Sequence, residues 1–155
     1  RAKKKPLPKW FIDLFPNCAY VQTHLFNQVG NLEIKEIEKI KINIASPEMA
    51  ILELLSQVPN AFDFSDANNI VENLQLLRPN VLQSLLQECL SIKVKRLFLY
   101  LANKHRLPCM EQLDVKLIEL GKGKRVIGQG GHYISEYLIS VPKLEQEDTT
   151  GIGYV

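Results

Sequence analysis

Ser91-Ile-Lys-Val-Lys-Arg-Leu-Phe-Leu-Tyr-Leu-Ala-Asn-Lys-His105 reads as one amphipathic helix of about four turns. Val94, Leu97, Phe98 and Leu101 recur at i, i+3, i+4 and i+7 and make an apolar stripe. Ser91 suits the N-cap, because its hydroxyl can accept from a free amide of the first turn. Lys93, Arg96 and Tyr100 lie on another face, with Lys95 and Lys104 beside it. The helix is therefore expected to bury one side and show a basic side that carries an aromatic ring. A merely solvated face would have the same charges without a partner.

Upstream, three further helices are expected. Ser46-Pro47-Glu48 is a strong start: Ser caps, Pro fits the first turn, and Glu48 lies near the positive end of the helix dipole. That helix should reach about Gln57, with Ile51, Leu54, Leu55 and Val58 inward. A second runs from a Ser65 cap to about Leu77. A third runs from an Asn80 cap to Leu90, with Gln83 in the capping-box position. Before them, residues 19–26, 32–37 and 40–44 have strand composition or alternation and suggest an antiparallel meander with one face in the core. Lys9–Phe15 is a short apolar helix or turn whose aromatics would form a lid on the core. After Pro108, residues 115–120, 126–127 and 133–141 suggest two or three short strands returning to the sheet. The fold class is α+β in a single domain: N-terminal antiparallel strands, a central four-helix segment and C-terminal short strands.

A chain of 155 residues can bury a real core. No apolar run approaches the roughly 18 residues that span a bilayer, and no signal peptide is visible. The net charge of +2 hides a segregation: residues 1–9 carry +5 and residues 91–125 carry +6, leaving the remainder at −9. A local positive field attracts polyanions even on a near-neutral molecule. Cys18, Cys89 and Cys109 are odd in number and form no C-x-x-C pair, which points to a reducing, cytoplasmic compartment. Arg1–Pro8 is a basic, proline-containing head of the kind that links a domain to something upstream, and residues 143–155 read as an acidic, loose tail.

Several chemistries find no support. His24, His105 and His132 are dispersed, and no Cys/His cluster has zinc spacing, so no metal and no cofactor is expected. There is no G-x-S-x-G elbow. Gly121-Lys-Gly-Lys-Arg125 lacks P-loop spacing, although a glycine turn with basic tips can still bring backbone amides to an anion. Asp63, Asp66, Glu48 and Glu53 make no recognisable acid/base pair. An enzyme is not expected. Residues 65–77 and 81–90 have the gap of a helix-turn-helix, but the second helix offers only Gln83, Ser84 and Gln87 as polar readers, with Glu88 and no base.

Four blocks carry a resemblance: Ala45-Ser-Pro-Glu-Met-Ala-Ile-Leu-Glu-Leu-Leu55, Leu77-Arg-Pro79, Ser91 through Ala102, and Leu120-Gly-Lys-Gly-Lys-Arg125. In order and spacing they resemble the AbiEi antitoxins of bacterial type IV toxin–antitoxin (abortive infection) systems, over about residues 10–142. The resemblance implies the C-terminal antitoxin domain of a two-part transcriptional regulator, with residues 1–9 linking it to an upstream winged-helix domain that binds promoter DNA. It also implies a nucleotidyltransferase-like toxin as functional partner, opposed without a stable complex. The matching polar positions are Arg78, Ser91, Lys93, Arg96, Tyr100, Lys124 and Arg125. With Lys95 and Lys122 from the same helix and turn, these make the expected nucleic-acid or phosphate-binding set: Arg78, Lys93, Lys95, Arg96, Tyr100, Lys122, Lys124 and Arg125. Internal ion pairing of the basic residues with Glu48, Glu53 or Asp66 is the alternative. A protein-interaction or dimerisation module is the alternative function.

Overall fold

A computed structural model describes residues 6–17, 24–27 and 32–144. The element order is α1 (Lys9–Leu14), β1 (Leu32–Ile37), β2 (Ile40–Ala45), α2 (Pro47–Gln57), α3 (Phe64–Glu72), α4 (Pro79–Glu88), α5 (Ile92–Lys104), β3 (Arg125–Val126), β4 (His132–Ile134) and β5 (Ile139–Val141). The class is α+β, as the patterning implied.

Local chemistry explains most helix limits. Ser46 accepts from the Met49 amide at 3.2 Å and Pro47 opens α2. Ser91 caps α5 by accepting from the Val94 amide at 3.3 Å. Two starts differ from expectation. Asp63, not Ser65, caps α3, because its carboxylate accepts from the Ser65 amide at 2.7 Å. α4 begins at Pro79, with Arg78 at the cap position. Gln83 is drawn away from any capping box by paired hydrogen bonds with the backbone of Asp114.

α5 is the central element. It packs against α2, α3 and β5, and Val94, Leu97, Phe98, Leu99, Leu101 and Ala102 are all buried. Leu52 and Leu55 of α2 join the same buried cluster, and Leu82, Leu85 and Leu86 extend it from α4, which packs against α2. Cys89 and Cys109 are buried free thiols, and burial pushes both up from the ordinary thiol value. Cys18 lies outside the described residues.

The strands depart furthest from expectation. Among the described residues there are two sheets: the β1–β2 hairpin, and a three-stranded sheet ordered β3-β5-β4, parallel between β3 and β5 and antiparallel between β4 and β5. The C-terminal strands therefore build their own sheet against α5 instead of joining the first. Residues 115–117 form a 3-10 turn, not a strand, begun by the Asp114 carboxylate on the Lys116 amide. Most of the strand expected over 19–26 lies outside the described residues; Phe26 makes an isolated bridge with Cys89. The hairpin does not sink a face into the core, since Ile34, Ile37, Ile40 and Ile42 are exposed. α1 is likewise no core lid: it buries none of its residues, and Trp10 is 62% exposed.

Candidate functional site: a basic turn held from below

The basic residues of α5 and the glycine turn meet, but not as one surface. Arg96 is 1% exposed. Its Nε donates to the Leu120 carbonyl at 2.8 Å, Nη2 to Gly121 at 3.0 Å, and Nη1 to Gly123 at 2.6 Å and Leu138 at 3.1 Å. One guanidinium thus gathers three carbonyls of the 120–123 turn, those of Leu120, Gly121 and Gly123, and ties them to the loop before β5. No other side chain presents as many donors in a planar fork. Burial, and then the charge of neighbouring Arg125, pulls Arg96 below the ordinary guanidinium value.

The turn can fold this way because of its glycines. Gly121 has φ +62° and Gly123 φ +77°, in the left-handed region where a Cβ is strained. At Gly121 a Cβ would also stand 3.2 Å from the Ile92 side chain. With the carbonyls drawn inward, the amides of Gly121, Lys122, Gly123 and Lys124 have no acceptor among the described residues. Lys122, Lys124 and Arg125 are exposed around them. Lys124 Nζ stands 4.5 Å from the Tyr133 ring centroid, a cation–π contact that orders an exposed lysine.

The remaining expected site residues bond or pack within the chain itself. Lys95 is buried and donates to the Glu119 carbonyl at 3.0 Å, just ahead of the turn. Lys93 donates to the carbonyls of Ser56 and Val58, backbone acceptors at the C-terminal end of α2. Burial lowers its pKa. Tyr100 is half-buried with its ring edge-on to Tyr137 at 6.3 Å. Arg78 pairs with buried Glu48 and exposed Glu33. Of the three acidic partners weighed for the basic residues, Glu48 is the one that Arg78 takes. α5 therefore lacks the basic outer face expected of it: Lys95 and Arg96 point into backbone, and cations reach the surface at the turn that Arg96 supports.

Elsewhere, a cleft of about 800 Å³ is lined by Asp63, Asn68, Glu72, His105, Gln129 and Lys143, among others. The His105 Nε2 lies 2.9 Å from the Asn68 Oδ1, and its Nδ1 lies 4.0 Å from Glu72. Burial lowers the His105 pKa. The sequence reading missed this pair, since nothing in the 37-residue separation marks it. Among the described residues, no group of three or more His, Cys, Asp or Glu is placed to hold a metal ion. No helix among them is long and apolar enough to cross a membrane.

Fold and turn together define an α+β domain, built on one central buried helix, that presents a backbone-anchored basic loop. The chain belongs to the AbiEi antitoxin family: a family model described as a transcriptional regulator, AbiEi antitoxin of type IV toxin–antitoxin systems, matches residues 1–142. No curated protein and no solved structure matches it significantly.

Proposed function

We propose that this chain is the antitoxin domain of a type IV system. In this reading it neutralises a nucleotidyltransferase-like toxin in the cytoplasm without a stable complex, and it assists repression of its own promoter. Residues 10–142 form the domain, residues 1–9 link it to an upstream winged-helix domain that reads the operator, and residues 143–155 form a tail. Lys122, Lys124 and Arg125 contact nucleic-acid phosphates. Lys95 and Arg96 act by holding that turn, and Arg78, Lys93 and Tyr100 by holding the helices of the scaffold.

The observation that supports this best is the way Arg96 turns the loop. It binds three of the turn's carbonyls, and the same turn carries amides with no acceptor among the described residues and three exposed cations. Amides flanked by cations suit an oxyanion, and phosphate contacts position a protein on nucleic acid without reading sequence. The test is binding of the full-length protein to its promoter duplex across a salt series, with Lys122→Glu/Lys124→Glu alongside, and rescue from the toxin by the same pair. The reading expects a shallower salt slope and weaker repression for the variant. An unchanged slope with unchanged repression and rescue would overturn it. A protein-interaction role is favoured by a different observation, the exposed isoleucines of β2.

A further inference from the structure

The β1–β2 hairpin is built as half of something. It is joined by Glu38 and Lys39, both at positive φ (48° and 69°), as a two-residue type I′ turn requires. Ile37 and Ile40 are therefore the hydrogen-bonded pair that closes the turn, and pair type alternates from there. Ile40, Ile42 and Ile44 spend their backbone groups on β1. Lys41 and Asn43 point theirs outward, to an edge with no partner among the described residues. The three isoleucines share one face of the pleat, continued by Ile37 across the ladder. Ile40 is 66% exposed and Ile42 38%. A two-stranded ribbon is marginal in water, and an apolar edge of this kind invites pairing.

We infer that the occupant of the β2 edge is β2 of a second copy of this chain, antiparallel about a twofold axis at Ile42. Independently of the proposed function, three features of the sequence register carry this. In that register Ile42 faces Ile42 of the partner subunit, and Ile40 and Ile44 face each other in both directions, so the two apolar stripes fuse into one. Lys41 faces the neutral Asn43, and these are the residues whose amides and carbonyls point outward, so the hydrogen-bonding phase and the side-chain phase agree. A shift by two residues toward the turn would oppose Lys41 to its own copy, and a shift the other way would lose an isoleucine pair. The edge left outermost is β1, whose Glu33, Lys35 and Glu36 are charged, with Glu33 held by Arg78. Charged edges stop such a sheet from growing, so the pairing closes as a dimer.

The test is sedimentation equilibrium of the wild-type chain, of Ile42→Lys, and of Ile34→Lys, which puts the same charge on the exposed opposite face in β1. The expected result is a concentration-dependent dimer for wild type and Ile34→Lys and a monomer for Ile42→Lys. A second variant reads the register. Ile42→Cys should cross-link to itself on mild oxidation, because directly opposite residues of a non-hydrogen-bonded pair have Cα atoms about 4.5 Å apart, within disulfide reach. Lys35→Cys, on the far strand, should not. A wild-type chain that stays monomeric through the micromolar range, or a dimer that survives Ile42→Lys and leaves Ile42→Cys uncross-linked, would overturn the inference.

Discussion

Glu48 and Arg78 lie 30 residues apart in sequence and hold each other through three hydrogen bonds: the Arg78 amide to Oε1 at 2.8 Å, Nε to Oε1 at 3.1 Å, and Nη2 to Oε2 at 2.8 Å. The carboxylate is 1% exposed at the first turn of α2, and the arginine occupies the N-cap position of α4. One buried charge thus fixes the starts of two helices. It also accepts from a backbone amide that α4 itself leaves without a partner.

That arrangement predicts an acid limit to stability. Burial pushes Glu48 up, but the hydrogen bonds from the Arg78 side chain and backbone outweigh it and hold the carboxyl at about 2, against an ordinary value of 4.5. A carboxylate depressed in the folded state stabilises above its unfolded pKa, and that stability is lost as pH falls through 4.5 towards 2. The shift corresponds to about 3 kcal/mol. Urea midpoints measured between these pH values should fall steeply for the wild type. Glu48→Gln should start lower at neutral pH and respond much less to acid.

Arg96 should resist even lysine. Arg96→Lys keeps the charge but cannot reach the carbonyls of Leu120, Gly121, Gly123 and Leu138 together. The expected loss is about 2 to 4 kcal/mol, as for buried hydrogen bonds to a charged group. Hydrogen exchange should accelerate at the amides that follow the turn, notably Arg125, which bonds the Leu138 carbonyl at 2.9 Å. Normal protection there would show that the turn stands without its support.

The exposed cations should separate from the buried ones in the opposite way. Alanine at Lys122 or Lys124 should change stability by less than about 1 kcal/mol. If each contacts a duplex phosphate, each should remove roughly 0.9 from the log–log salt slope of promoter binding. A thermal melt and a salt titration on the same samples decide whether the turn is a contact or only a fold feature.

Gly131→Ala should be among the most damaging small substitutions. A Cβ there would lie 1.6 Å from the Val141 carbonyl oxygen and 2.3 Å from its carbon, both backbone atoms that cannot rotate aside. Gly131 immediately precedes β4, where His132 pairs with Val141. The expected cost exceeds about 2 kcal/mol. Gly130→Ala, which has open space around its Cβ, is the matched control, with only the strain of φ +70°. Similar melting temperatures for the two would disprove the clash.

Much of the helical scaffold was legible because its signals are local. Ser46-Pro47 and Ser91 cap within one turn, and the stripe through Val94, Leu97, Phe98 and Leu101 lies inside one helix. The strands were harder. Residues 40–44 alternate as a strand should, but alternation does not say which face is covered, and Ile40 and Ile42 remain outside. The turn at 121–125 was visible as glycine with basic tips, yet its supports were not. Charge patterning treats Lys93, Lys95 and Arg96 as members of one set, although none of the acceptors that receive them is a side chain.

The sequence by itself determined the capped starts of α2 and α5, the amphipathic core helix, the paired strands of the β1–β2 hairpin and the segregation of positive charge, because the first three depend on residues a turn or a pleat apart and the last on a simple sum. Four blocks in order also sufficed to mark the family. Only the tertiary structure decided which charges face water. Whether a guanidinium is a ligand contact or a buried clasp depends on carbonyls brought to it from 24 to 42 residues away. Backbone carbonyls, present at every residue whatever its side chain, leave no mark in the sequence until folding assembles them around one arginine.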